Sequence, residues 1–227
     1  VVLKNIGEAT ERAETASGFD VVVACGGDGT VNAVAEGVLR NPAPVLKMGV
    51  LYAGTSPDFC RFYHIPTDPS GAAELLMSGR CKPVRLFEIR HDGKTSHFAC
   101  SCNLGMGADV AEMANRLRPR LGDRLGTFCA LVRNLWKSKR YCYFINDEKL
   151  DDCKHLLITR MPFIAGGLKL ALPELGEDEY AVWHLRNLHF FGWRGLLTAL
   201  YRGTPAGTLR VVSGTTRISS PETVKVE

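Results

Sequence analysis

Along its first part the chain alternates between two hydrophobic periods. Residues 8–17 favour a helix, Gly18 can end it, and residues 19–25 form a β-branched run suited to a buried strand. Residues 31–39 return to helical spacing, Asn41-Pro42 breaks it, and residues 45–51 supply a second apolar strand. Residues 69–80 read as a further amphipathic helix, with Gly71 early and Gly79 near its end. Helix and strand in alternation predict an α/β layer with a parallel sheet.

After Cys81 the texture changes. Residues 82–90, 96–103, 139–146, 155–159, 180–185 and 208–212 read as strands separated by turns, one of them Asp92-Gly93. Two helical insertions interrupt them, 109–115 with 125–136, and then 191–201. The expectation is an α/β domain over residues 1–80 and a mainly antiparallel β-sandwich domain over residues 81–227. No internal repeat or low-complexity linker marks the boundary, which rests on the change of pattern alone.

Composition narrows the class. At 227 residues, with 45% apolar and 23% charged residues, the chain can bury a substantial core and is not extended disorder. No apolar run approaches bilayer-spanning length and no signal pattern opens the chain, so it reads as soluble or peripheral to a membrane. The eight cysteines lack zinc-like pair spacing, and buried free thiols in a reducing cytoplasm are expected. Cys100-Ser101-Cys102 fits a strand with two same-face thiols better than a metal site.

The net charge of +4 is unevenly spread. Between Arg116 and Arg140 lie Arg118, Arg120, Arg124, Arg133, Lys137 and Lys139, against the single acid Asp123. Such a stretch attracts anionic lipid by about 1 kcal/mol per positive side chain near the surface. A solvated charged face is the plainer reading of the same residues. No interleaved aromatic pattern or recognised module points to nucleic acid.

The candidate chemistry sits at the two strand ends. Gly26-Gly27-Asp28-Gly29-Thr30 follows the first strand and opens a helix. Glycines let main-chain N–H groups approach a bulky anion, and the helix adds unpaired donors and its positive dipole end. Asp28 would repel phosphate unless it handles a metal ion or a proton. The alternative is a tight turn in which Asp28 or Thr30 merely caps the helix. In open α/β sheets ligands collect at strand C-terminal ends, which brings the second segment, Gly54 to Arg61, toward the first.

Gly26 to Thr30 with Val31-Asn32 resembles the signature of the diacylglycerol kinase catalytic domain family, which includes bacterial lipid kinases and sphingosine kinases. Its glycine-aspartate part is shared with NAD kinases. Gly54-Thr55-Ser56-Pro57-Asp58-Phe59-Cys60-Arg61 is similar to the lipid-kinase pattern Gly-Thr-x-Asn-Asp-Phe-Ala-Arg. The resemblance continues through residues 103–110 and weakly through Gly166-Gly167 to the end. It implies an NAD kinase-like α/β domain that binds nucleotide, followed by a β-sandwich substrate domain, with ATP and Mg2+ as cofactors. Gly26, Gly27, Asp28, Gly29, Thr30, Val31, Asn32, Gly54 and Thr55 would hold nucleotide, with Asp28 and Asp58 the catalytic carboxylates. Asp178 with the carbonyls of Leu175 and Tyr180 would match a structural magnesium site, although Glu179 stands where the family has glycine. A solvated acidic loop is the other reading there.

By the same resemblance the chain is expected to lack a first strand before Val1 and an Asp-Gly-Glu segment, which would hold the acceptor base, after the strand-like residues 224–227. Four departures stand out: Tyr52 replaces a proline, Pro57 an asparagine, Arg85 a metal-network aspartate and Leu3 a nucleotide-contacting threonine. His64 reads as a helix-end residue rather than a base, and Trp136, Trp183 and Trp193 as core or interface aromatics. The implied activity is transfer of the γ-phosphate of ATP to a hydroxyl of diacylglycerol or a related lipid. The expected location is cytoplasmic and peripheral at the inner membrane face, and the chain is compatible with a homodimer. An NAD kinase-like enzyme and a non-catalytic lipid- or nucleotide-binding relative remain as alternatives.

Overall fold

A computed structural model describes residues 2–43, 46–137, 139–165, 168–186 and 190–226, without the side chains of residues 123, 124, 136, 137, 190 and 191. Val45, Gly166, Gly167, Glu227 and the side chains of Arg124, Trp136 and Lys137, named above, lie outside the described residues. In chain order the elements are α1 (Ile6–Glu14), β1 (Val21–Gly26), α2 (Asp28–Arg40), β2 (Lys47–Tyr52), α3 (Asp58–Tyr63), α4 (Pro69–Met77), β3 (Phe87–His91) and β4 (Lys94–Phe98). There follow β5 (Ser101–Gly105), α5 (Met106–Lys137), β6 (Tyr141–Ile145), β7 (Glu148–Thr159), β8 (Phe163–Ile164) and β9 (Leu168–Lys169). The last are β10 (Glu179–Arg186), α6 (Phe190–Arg202), β11 (Thr208–Ser213) and β12 (Ile218–Ser219). They form two compact units, Val1–Cys100 with Phe163–Gly167, and Ser101–Pro162 with Leu168–Glu227.

In the first unit β1 and β2 pair in parallel, from Val21 opposite Lys47 to Gly26 opposite Tyr52. Helix α1 starts at Asn5, whose side chain accepts from the Glu8 N–H at 3.1 Å, and it buries Ala9 and Ala13. It lies so close to α2 that a Cβ on Gly37 would overlap the Thr10 carbonyl oxygen and the Ala13 methyl. Buried Asn41, just past α2, donates to the carbonyls of Ala13, Glu14 and Ala16 at 2.8 to 2.9 Å, satisfying the end of α1.

The change of texture after Cys81 falls inside this unit. Residues 82–86 are irregular around Pro83, which cannot donate to a ladder, so only Phe87–His91 of the expected strand forms. The expected strand over 96–103 breaks at Ala99-Cys100 into β4 and β5. The hairpin β3–β4 turns at Asp92-Gly93, both with positive φ, as a two-residue hairpin loop requires. It is held to α2 through the His97 N–H to Glu36 and the Ala99 and Cys100 N–H groups to Asn32 Oδ1, at 3.3, 2.9 and 3.2 Å. Those bonds extend the first unit to Cys100, about twenty residues past the boundary that the sequence texture suggested.

In the second unit the strands run β11-β10-β7-β6-β12, with β5 pairing β7 as well. All described pairings in this sheet are antiparallel. The expected antiparallel, sheet-rich domain is present. Strand β7, 12 residues long and buried from Cys153 to Thr159, pairs β6 with its first half and both β5 and β10 with its second. Trp183 and Trp193 are core residues, as expected. Near the end of the chain Val226 forms a bridge to Leu104 rather than part of a longer strand.

Helix α5 is the two expected helical stretches joined, with a break at Gly122 (φ 72°, ψ 172°). A Cβ on Gly126 would meet the Arg118 nitrogen at 3.3 Å and the Leu117 carbonyl carbon at 3.4 Å, and Asn134 Nδ2 lies 3.8 Å from Met113 Sδ. The two arms therefore fold back on each other as a helical hairpin. Among the described residues no helix is long and apolar enough to cross a membrane.

The close crossing at Gly37 has a measurable consequence. Alanine is the better helix former, yet Gly37→Ala is expected to lower stability by about 1–3 kcal/mol in urea denaturation, because overpacking outweighs propensity. Equal or greater stability would mean that the crossing is looser than described.

Candidate functional site

The site is built by strand pairing. Because Gly26 is opposite Tyr52 and the Ala53 N–H donates to the Gly26 carbonyl at 3.0 Å, the two glycine segments leave the sheet side by side. A Cβ on Gly54 would lie 2.5 Å from Gly27 Cα and 2.6 Å from the Tyr52 hydroxyl. Glycine at position 54 lets the backbones meet, whereas a Cβ on Gly27 would lie in ordinary contact, 3.4 Å from Gly54 Cα. A Cβ on Gly26 would overlap the Thr30 side chain, so the first turn closes against its own helix.

Helix α2 has Gly27 as its N-cap and no side-chain cap bond. Neither Asp28 nor Thr30 caps it, so the first-turn amides are left without a side-chain acceptor. Asp28 is half-buried, and its Oδ1 has no hydrogen-bond partner. The main-chain N–H groups of Phe59 and Asp58, at the start of α3, hold its charge in part. Burial and the neighbouring Asp58 carboxylate outweigh them and push Asp28 up from 3.8 to about 7.

Asp58 is buried, only 6% exposed, rather than a surface helix cap. Ser56 Oγ donates to it at 3.4 Å and the Arg61 guanidinium lies 3.7 Å away. The same carboxylates raise their neighbours: burial first, then Asp28, pushes the Cys60 thiol up to about 11, and burial with Asp28 raises the Tyr52 hydroxyl. Tyr52, treated in the sequence only as a departure, is thus part of the cluster. Its place opposite Gly26 at a strand end was the available signal.

Not every expected residue presents a binding group. Val31 is fully buried and its N–H donates to the Gly27 carbonyl at 3.0 Å, so it is a core residue. Asn32 uses its oxygen to hold Ala99 and Cys100. Gly29 and Thr55 are exposed beside Asp28 and Gly54 in the chain. His64 is exposed at the left-handed C-cap of α3 and Pro57 is that helix's N-cap, both structural places. Arg85 is exposed ahead of β3.

The loop expected to hold a structural magnesium belongs to the second unit. Arg160 donates to the carbonyls of Gly176 and Glu177, and the Gly176 N–H donates to Glu179 Oε2 at 2.7 Å. Tyr180 is buried in β10 with its hydroxyl on Thr216, and Asp178 sits in the turn before that strand. A fixed guanidinium therefore organises this loop. Among the described residues no group of three or more His, Cys, Asp or Glu could hold a metal ion.

Comparison with known proteins agrees with this geometry. A model of the diacylglycerol kinase catalytic domain matches residues 2–89. Proteins described as diacylglycerol kinase from Staphylococcus aureus strains JH9 and Newman are 32% identical over 132 residues, 57% of this chain and 39% of theirs. The match thus spans about two fifths of the length of these curated relatives. A crystal structure of a diacylglycerol kinase from Bacillus anthracis str. Sterne has the same fold, with a TM-score of 0.70 at 18% identity, over 99% of this chain and 75% of that one.

The raised Asp28 gives a pH signature. Its folded value of about 7 exceeds its ordinary 3.8, so the folded state holds the proton more tightly and this contribution is full below about pH 4 and lost as pH rises to about 7. Asp28→Asn is expected to raise the melting temperature at pH 8 and to change it much less at pH 4. The same difference at both pH values would remove the assignment of a strained carboxylate.

Proposed function

We propose, from the similarity of residues 2–89 to the diacylglycerol kinase catalytic domain, that this chain acts as an ATP-dependent lipid kinase, transferring the γ-phosphate to a hydroxyl of diacylglycerol or a related amphipathic alcohol. The observation that carries this reading is the backbone contact of Gly27 with Gly54 beside the paired carboxylates Asp28 and Asp58. A phosphate cradle without an acid would bind nucleotide; an acid pair beside it suits transfer.

The donor set fits a divalent cation of the magnesium type. Such an ion is commonly bound by one or two carboxylates plus substrate phosphates rather than by an all-protein cage. Asp28, with an unpartnered buried oxygen, and Asp58 beside it would hold the ion, which would screen the phosphate charges.

The protein's own groups do the rest. First-turn amides of α2, with the Thr30 and Thr55 hydroxyls, orient the phosphate oxygens. Gly27 and Gly54 keep the cradle clear of side chains. Burial, with the Asp58 charge beside it, raises the proton affinity of Asp28, so that Asp28 exchanges a proton or accepts a positive partner near neutral pH. In the transfer the acceptor oxygen attacks the γ-phosphorus, the bond to the β-phosphate oxygen breaks, and ADP leaves as the acceptor proton is lost.

Turnover of ATP by the full-length protein with diacylglycerol dispersed in vesicles tests the reading, with NAD as a competing acceptor. The expected result is lipid phosphorylation dependent on Mg2+, falling on the order of 100-fold to 10,000-fold in Asp28→Asn. Gly54→Ala is expected to raise the KM for ATP, because its methyl would displace Gly27. Phosphorylation of NAD instead of lipid, or ATP binding with no turnover on any lipid, would overturn it.

A further inference from the structure

We infer that the helical hairpin of α5 is a docking surface for an anionic lipid bilayer. Just before the break at Gly122 it carries Leu121, and the arm after the break carries Leu125, Phe128 and Val132 at spacings of three and four residues, one stripe of helix surface. All four are exposed, Leu125 by 53% and Phe128 by 62%. Buried Ala130 and Asn134 fall on the opposite side of the same arm. Leu121 and Leu125 flank the break at Gly122, so exposed apolar residues stand on both sides of the turn.

Charge identifies what covers this face. Arg120 lies beside the tip and Arg133 beside the end of the stripe, both exposed, within a stretch that has one acid between Arg116 and Arg140. Two other basic residues are partly compensated, Arg116 by Glu112 and Arg140 by Asp152 at 3.4 Å. An apolar stripe bordered by arginines matches the boundary between acyl chains and anionic headgroups, where each component adds to the other. A second copy fits less well, since a two-fold interface would set the same arginines against each other. Nucleic acid fits less well too, because three of the four apolar residues are aliphatic and offer no stacking surface.

The inference extends the lipid-kinase reading, on which its purpose rests, by giving the protein a way to stay at the surface where its substrate resides. Its test does not depend on turnover. The protein is sedimented with phosphatidylcholine vesicles, with and without phosphatidylglycerol, at low and high salt. Wild type is expected to follow the anionic vesicles and to be released by salt. The pair Arg120→Glu and Arg133→Glu should weaken that binding by roughly 25-fold or more, about fivefold for each positive charge lost. The pair Leu125→Ser and Phe128→Ser should weaken it on the order of tenfold at either salt, with an unchanged melting temperature.

Equal binding to neutral and anionic vesicles would overturn the proposal, as would variants that bind like wild type. So would a dimer in sedimentation velocity that Phe128→Ser dissociates without affecting vesicle binding, which would assign the face to a second copy. Phosphorylation of a dispersed short-chain diacylglycerol, followed in parallel, separates the two readings. Vesicle binding without this turnover removes the kinase reading alone, and turnover without vesicle binding removes the docking surface alone.

Discussion

The first unit depends on one constraint: two adjacent parallel strands end level, and the loops leaving them must touch backbone to backbone at Gly27 and Gly54. The register fixes the level, and the Ala53 N–H bond to Gly26 carries the pairing one residue past the strands. Once the loops meet, the helices that follow them are committed. Helix α2 starts at Asp28 and α3 at Asp58, and each places a carboxylate at its first residue. The pairing that brings the two glycine segments together therefore brings two like charges together as well.

That arrangement is unfavourable in isolation, and the surrounding packing holds it. Two amides at the start of α3 stabilise the Asp28 charge, yet desolvation and Asp58 dominate, and the proton affinity rises. The close crossing of α1 with α2 and the tie from Asn32 to the chain after β4 keep α2 from relaxing. A carboxylate maintained in this state is short of positive charge. Its environment favours a proton or another positive partner over the bare charge, the usual form of a compromise between stability and function.

The parts legible in the sequence were those that a few consecutive residues decide. A β-branched run ending in glycines fixes strand, turn and helix together, so both glycine segments, Asp28 and Asp58 could be read at once. Parts that depend on distant partners were not legible. Val31 looks like motif but is core, and Asn32 looks like a ligand group while its oxygen holds residues 67 and 68 positions away. Tyr52 became part of the cluster only through its cross-strand position. The unit boundary was misplaced because the β3–β4 hairpin has the texture of the second unit while its hydrogen bonds go to α2. Likewise, two helical stretches were visible in 109–136, but their fold-back depends on the φ of Gly122 and the small size of Gly126.

The loop before β10 shows why a motif must be read through its chemistry. Carbonyl oxygens that converge in a turn need a donor or a cation, and the sequence alone cannot distinguish the two. Here the planar fork of Arg160 reaches Gly176 and Glu177 from the end of β7. Such a fork suits two neighbouring acceptors and carries a charge that does not dissociate. These acceptors lie beside, and are distinct from, the Leu175 and Tyr180 carbonyls that the resemblance assigns to a cation. Glu179, in the position where the family has glycine, turns its carboxylate back onto the Gly176 N–H, so the same substitution that departs from the motif also closes the turn from the other side. Arginine and glutamate together therefore close this turn from both sides at Gly176 and Glu177.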